Sequence, residues 1–179
     1  MSWAFVLAAC NPSTATTKSG ITSDGPTATA STMTSSAATA VTAEAPAARG
    51  RIEVVEATAD TDALSLVRTK RLEAKADGRV LVVYVGATWC APCKRFKAEL
   101  ASGRLDERFS KVTLLAFDAD KDGDRLGAAG YTYQFVPFVG LPGADGRPAD
   151  TVQATGKGGE AWRELLGKLD AWQSAGTSR

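Results

Sequence analysis

An uninterrupted apolar run that leads into a closely spaced cysteine pair is the feature that most constrains the fold of this chain. Residues 80–85 are Val-Leu-Val-Val-Tyr-Val, and Cys90 and Cys93 follow with two residues between them. A β-branched run that is apolar at nearly every position is typical of a strand buried on both faces. Residues 91–103 favour a helix by their composition. The sequence therefore places the cysteine pair where a buried strand passes into a helix.

The remaining patterns predict strands that alternate with helices, followed by a hairpin and a last helix. We expect strands at 52–56, 79–86, 111–117, 135–141 and 149–155, and helices at 61–77, 91–103, 121–129 and 160–172. Thr61 and Asp122 are the expected N-caps of the first and third helices. Asp145-Gly146 is a strong hairpin signal between the last two strands. This order predicts an α/β fold with a central mixed β-sheet and helices on both faces.

Two cysteines at this spacing can either bind a metal ion or cycle between a dithiol and a disulfide. Cys90 would lie at a helix N-terminus, where unpaired backbone N–H groups and the helix dipole favour a thiolate. Lys94 and Arg95 add positive charge nearby, and Pro92 suits the first helical turn. Cys93, one turn into the helix, is expected to be less exposed. We therefore predict Cys90 as the attacking thiolate and Cys93 as the resolving thiol.

The segment Trp89-Cys90-Ala91-Pro92-Cys93, set between a buried strand and a helix, resembles the active site of the thioredoxin superfamily. The resemblance covers about residues 51–179, and extracytoplasmic members tethered to membranes, such as TlpA-like reductases and the C-terminal domain of the DsbD-type transporter, are the most similar in appearance. It implies a thioredoxin fold and a thiol–disulfide oxidoreductase with no cofactor and no metal. It also implies client contacts at a set of residues around the cysteines: Trp89, Ala91, Pro92, Val136 and Pro137.

Val136-Pro137 falls where this superfamily has a cis-proline that faces the disulfide. The resemblance implies a cis peptide bond there, and the backbone beside it would receive a client peptide as an added strand. Gly156 matches a superfamily glycine at which the backbone packs close to the site.

The sequence departs from the superfamily pattern at two positions. Tyr84 stands where a buried aspartate is usual, and Ala116 is the best match to a usual lysine. We expect Tyr84 to be a core residue, with Glu56 as a candidate for the missing carboxylate.

The segment from Asp118 to Asp124 resembles the start of an EF-hand loop. Its twelfth position is Ala129, where calcium binding requires a glutamate, so no calcium site is predicted.

Composition excludes several classes of function. The chain has 21 Lys and Arg residues against 20 Asp and Glu, a formal net charge of +1, so no nucleic-acid partner is expected. Histidine is absent, which excludes a Ser-His-Asp triad and any imidazole ligand. The three cysteines are too few for an all-cysteine structural zinc site.

Soft-metal binding of copper(I) by Cys90 and Cys93 stays open as an alternative function. A redox-inert interaction domain is a third hypothesis, which the intact cysteine pair disfavours.

The N-terminal part of the chain suggests an anchor and a tether. Leu7-Ala8-Ala9-Cys10 resembles a bacterial lipobox, in which the cysteine sulfur carries the lipid, although the apolar run before it is short and lacks Lys or Arg. Residues 11–50 are mostly Ser, Thr and Ala, a composition that predicts a disordered linker. We therefore expect a lipobox at 1–10, a linker at 11–50 and a thioredoxin-like domain at 51–179.

These features together predict a monomeric, membrane-tethered lipoprotein of the bacterial periplasm. Its expected partners are client proteins with disulfides, a membrane thiol–disulfide electron donor, and the membrane itself through a lipid on Cys10. Because the pair encloses Ala-Pro and the chain has no imidazole to stabilise a thiolate, we expect a reductase rather than an oxidase.

Overall fold

A computed structural model describes residues 50–156 and 158–176 of the chain. The predicted lipobox, with Cys10, and all of the predicted linker except Gly50 lie outside the described residues. The elements follow in this order: β1 (Glu53–Glu56), α1 (Ala63–Ala76), β2 (Val80–Gly86), α2 (Ala91–Ala101), β3 (Val112–Asp118), α3 (Ala119–Ala128), β4 (Phe138–Pro142), β5 (Pro148–Gln153), a 3-10 helix (Ala161–Leu165) and α4 (Leu166–Gly176).

The five strands form one mixed sheet in the order β1-β3-β2-β4-β5. Strands β1, β3 and β2 are parallel, whereas β4 pairs antiparallel with β2 and β5 pairs antiparallel with β4. Both neighbours of β2 lie inside the sheet, so this strand is central. Its side chains are buried from Leu81 to Gly86, as the apolar run predicts.

Two apolar clusters cover the two faces of the sheet because successive side chains of a strand point to opposite faces. On one face, Val82 and Tyr84 pack with Phe96 of α2 and with residues of α4. On the other face, Leu81 and Val83 pack with residues of α1 and α3. The predicted α/β fold, a mixed sheet with helices on both faces, is confirmed.

Several helix starts differ from the prediction. Asp62 rather than Thr61 caps α1, because its carboxylate accepts a hydrogen bond from the Ser65 N–H at 2.8 Å. Helix α3 begins at Ala119 and is capped by Asp118 rather than Asp122. Asp122 is instead buried and bonded to the Asp118 N–H at 2.7 Å. The predicted last helix begins as a 3-10 turn at Ala161 before it continues as α4.

The hairpin between β4 and β5 forms where Asp145-Gly146 predicts it. Gly146 has a φ of 82°, a left-handed conformation that glycine adopts without a steric cost. The Tyr131 hydroxyl donates to the Gly146 carbonyl at 2.8 Å and fastens the turn to the end of α3.

None of the helices in the described part of the chain combines the length and apolarity needed to cross a membrane.

Candidate active site

The cysteine pair lies at the carboxyl end of the central strand, at the start of α2. Cys90 is the N-cap of α2, and the Cys93 N–H donates to the Cys90 sulfur at 3.1 Å. The two cysteines are joined by a disulfide, and Cys90 is 4% and Cys93 1% exposed. Cys93 is thus the less exposed of the two, as expected, although both are buried. In the dithiol state the same N–H and the helix N-terminus would stabilise a Cys90 thiolate.

The loop before β4 approaches the disulfide from the other side. The Val136–Pro137 peptide bond is cis, as the resemblance implies. The Val136 carbonyl oxygen lies 3.5 Å from the Cys90 sulfur, and Val136 packs against Ala87 and the two cysteines. The Pro137 carbonyl accepts a hydrogen bond from Ala154 N–H of the segment after β5. The structure therefore brings the predicted residues at 89–93 and 136–137 together, while their roles stay predictions.

Two large aromatic side chains flank the pair and are open to solvent. Trp89 is 65% and Phe135 is 54% exposed. The Trp89 indole N–H lies 3.0 Å from both carboxylate oxygens of Asp120, at the start of α3. The Gln153 side-chain oxygen accepts from the backbone N–H groups of Gln134 and Phe135. Phe135 directly precedes Val136, and its exposed ring adds apolar surface beside that residue.

Asp120 and Gln153 were not predicted as site residues. Asp120 is 31 residues from Trp89, and Gln153 is 18 residues from Phe135. No local pattern links residues at these separations, so the only available signal was the expected adjacency of the loops that follow β2, β3 and β5.

The cations of α2 are largely occupied by carboxylates. Arg95 pairs with Glu160 at 3.1 Å, and Lys97 lies 3.9 Å from Glu56. Lys94 is exposed and borders a cavity of about 260 Å³ beside Ala87 and Lys97. The positive charge that the sequence assigns to Lys94 and Arg95 is therefore partly neutralised at Arg95.

Tyr84 is a core residue, as expected. It is 2% exposed, and burial, with a smaller contribution from the charge of Glu56, raises the pKa of its phenol above the ordinary value. Ala116 stands between Tyr84 and Glu56 in the strand register. Glu56 itself is exposed, so its carboxylate does not reproduce a buried aspartate.

Gly156 packs against Glu164, whose carboxylate occupies the space a side chain would need.

The described residues contain no group of three or more His, Cys, Asp or Glu side chains placed to hold a metal ion.

The chain is similar to known proteins over different fractions of its length. No family model matches the chain. The chain is 35% identical over 114 residues to a TPR repeat-containing thioredoxin of Arabidopsis thaliana, a match that covers 59% of this chain and 28% of that protein. It is 27% identical over 92 residues to "Probable nucleoredoxin 1" of the same plant, covering 50% of this chain and 15% of that protein. The chain thus spans less than a third of the length of either relative.

Among solved structures, a poplar thioredoxin h is 23% identical with a TM-score of 0.46. That match covers 68% of this chain and 96% of the poplar chain.

Proposed function

We propose that this chain is a thiol–disulfide oxidoreductase of the thioredoxin superfamily, in which Cys90 and Cys93 cycle between a disulfide and a dithiol. The observation that carries the proposal is the placement of the pair. Cys90 caps α2, accepts the Cys93 N–H and faces the Val136 carbonyl. A helix N-terminus and an N–H donor stabilise a nucleophilic thiolate, and the backbone beside Val136 would offer an extended client a place to bind.

The reaction follows from this geometry. The Cys90 thiolate attacks one sulfur of a client disulfide, and the other client sulfur leaves as a thiolate and takes a proton. Cys93 then loses its proton and attacks the Cys90 sulfur, which forms the protein disulfide and releases the second client thiolate. The client disulfide gains two electrons and the protein dithiol loses them. Extended client backbone would pair beside Val136 while the exposed Trp89 and Phe135 contact its side chains.

Insulin reduction tests this proposal. With dithiothreitol as the electron source, the protein should accelerate precipitation of insulin chains, and Cys90→Ser should abolish the acceleration. The alternative, copper(I) binding by the two thiolates, is tested by titrating the reduced protein with copper(I) against a competing chelator. Stoichiometric high-affinity binding of copper(I) without insulin reduction would favour the metal carrier and refute the oxidoreductase.

We also propose that the protein is a monomeric periplasmic lipoprotein that reduces client disulfides and is recharged by a membrane thiol–disulfide donor. Leu7-Ala8-Ala9-Cys10 and the Ser-, Thr- and Ala-rich residues after it support an anchor followed by a tether. Expressed behind a complete secretory signal, the chain should incorporate labelled fatty acid and partition into detergent, and Cys10→Ser should do neither. Recovery of an unmodified soluble chain would refute the anchor.

A further inference from the structure

The outer side of α1 and the β4–β5 hairpin form a basic surface, defined by Arg68, Arg71, Lys75 and Arg147. These three arginines form no ion pair, whereas every other arginine in the part of the chain that the structure describes pairs with a carboxylate. Lys75 is also absent from the ion pairs of these residues, and Arg71 alone of the four is half-buried rather than exposed. The unpaired guanidinium groups thus gather on one surface, where their charge is available to a partner.

Two of these guanidinium groups are fixed by the backbone of the hairpin. The Arg68 Nε donates to the Asp145 carbonyl at 2.5 Å, and the Arg71 Nε donates to the Pro142 carbonyl at 3.3 Å. In both arginines the terminal Nη atoms donate no hydrogen bond within the described residues. A guanidinium held through Nε keeps this fork for an anion, and phosphate oxygens match its geometry.

The basic residues of α1 lie on one side of the helix. Arg68, Arg71 and Lys75 follow the spacing i, i+3, i+7, which places them in one stripe. Leu72 lies on the same side and is 66% exposed. Glu73 falls roughly 140° around the helix from Arg68 and is held by an ion pair within α1. This side of α1 therefore combines cations with an exposed apolar side chain.

The carboxylates that border the basic surface do not neutralise it. Asp62 accepts the Ser65 N–H at the start of α1, and Asp145 accepts the Arg147 N–H in the hairpin. Neither carboxylate forms an ion pair among the described residues. Four cations against two carboxylates leave a local positive excess in a chain whose formal net charge is only +1.

The basic surface lies toward the end of the sheet opposite the disulfide. Strand β4 starts at Phe138, which pairs with Val85 at the redox end of β2, and runs antiparallel to β2. It therefore leads away from the disulfide to Pro142, where Arg71 is bonded. The last turn of α1 leads to the start of β2 at the same end of the sheet. A partner bound here leaves the approach to Cys90 open.

We propose that the basic surface docks the domain on a bilayer of anionic phospholipids, with Arg68 and Arg71 on lipid phosphates and Leu72 in the interfacial layer. The charge is complementary to such a bilayer, and each cation near it strengthens binding. An exposed leucine among basic side chains is typical of a helix that lies in the interface. The inference goes beyond the redox activity, and docking does not need a lipid on Cys10, although the two signals would act together.

The test is cosedimentation of the full chain with vesicles, in a Cys10→Ser background that excludes a lipid anchor. The protein should bind vesicles of phosphatidylglycerol, less tightly as salt is added, and should not bind vesicles of phosphatidylcholine. Arg68→Gln with Arg71→Gln should weaken binding roughly five- to thirtyfold, because each cation near an anionic bilayer contributes a factor of about five. Leu72→Gln leaves the charge unchanged and should also weaken binding.

Arg104→Gln with Arg163→Gln is the matched control. It removes the same charge from two arginines that are about equally exposed elsewhere on the domain, and it should retain most of the vesicle binding. Equal losses in the two double variants, or no binding to phosphatidylglycerol, would overturn the proposal. Retention on immobilised polyglutamate without vesicle binding would assign the surface to an acidic protein and also overturn it. Loss of insulin reduction in the wild type would instead refute the proposed function and leave the vesicle result standing.

Discussion

Cys90 and Cys93 have different surroundings although they share one disulfide. The Cys90 sulfur accepts a backbone N–H at the first turn of α2 and lies beside the loop at Val136. Cys93 is the more deeply buried of the two, on the face of the helix toward the sheet. We therefore expect a client to reach Cys90 first, and Cys93 to act only on a disulfide already formed at Cys90.

Serine variants of the two cysteines should consequently behave differently. Cys93→Ser should accumulate mixed disulfides with client proteins, because nothing resolves them, whereas Cys90→Ser should accumulate none. Both variants should lose insulin reduction to the background rate. Non-reducing electrophoresis after acid quenching measures the adducts. Adducts on Cys90→Ser, or alkylation of Cys93 before Cys90 at mildly acidic pH, would reverse the assignment.

Asp120 orients the aromatic surface beside the disulfide. Asp120→Ala removes the carboxylate that holds the Trp89 indole and should let this exposed ring move. We expect the KM for insulin to rise roughly two- to tenfold, the effect of losing about one hydrogen bond, with little change for a small disulfide substrate. Asp124→Ala, an exposed aspartate of the same helix, is the control. Equal effects of the two variants would show that only the charge of α3 matters.

Local patterns at the residue scale were sufficient for some site residues and not for others. Cys90 and Cys93 follow from a short local motif, whereas the cis bond before Pro137 was implied only by the resemblance to the thioredoxin superfamily. Asp120 and Gln153 act across loops that meet only in the folded sheet, so no spacing indicates them. Phe135, two positions before the cis-proline, is exposed, and no local pattern distinguishes it from the buried Phe138 that follows.

At the scale of elements, the order of strands and helices could be predicted from apolar runs, helix-forming composition and turn signals. The ends of the helices could not. Residues 118–124 contain four aspartates that could each cap a helix, and only the folded backbone decides that Asp118 does so. Asp122 is buried and forms an ion pair with Arg125 at 2.8 Å. Composition alone does not distinguish this buried arrangement from a solvated turn.

The carboxylate of Asp150 links β5 to α4 by hydrogen bonds. Asp150 accepts hydrogen bonds from the Trp172 indole at 2.9 Å and from Lys168 at 3.0 Å. The Trp172 hydrogen bond and then that of Lys168 hold the pKa of Asp150 below its ordinary value of 3.8. Because the native pKa is the lower one, this contribution to stability is present above that ordinary value and is lost as pH falls through the native pKa.

Asp150→Asn should therefore remove part of the acid sensitivity of the fold. At neutral pH we expect a modest loss of stability, because the carboxylate is substantially exposed and the pair is screened by solvent. In the acid range the difference between the variant and the wild type should shrink. Urea unfolding followed by tryptophan fluorescence across the acid range measures both effects. A difference that grows as pH falls would contradict the sign derived from the Asp150 pKa.

At the scale of the whole molecule, the balance of charge limits how far the thiolate of Cys90 can be stabilised. The chain carries a net charge of +1, and on α2 both Arg95 and Lys97 face carboxylates. A strongly stabilised thiolate favours the dithiol and makes a protein an oxidant. Here the stabilisation would come mainly from the start of α2 and the Cys93 N–H, since the chain has no imidazole.

The reduction potential is therefore expected to be that of a reductase, more negative than about −230 mV, the reducing end of the range for glutaredoxins. Equilibration with a dithiothreitol or glutathione buffer and quantification of the Cys90–Cys93 disulfide measures it. Glu160→Gln, which frees Arg95 from its partner, should shift the potential slightly toward less negative values because an unpaired cation favours the thiolate. Glu99→Gln, which frees Arg104 near the other end of α2, should shift it less. A wild-type potential less negative than about −180 mV, typical of a disulfide isomerase, would contradict the reductase while leaving the redox pair in place.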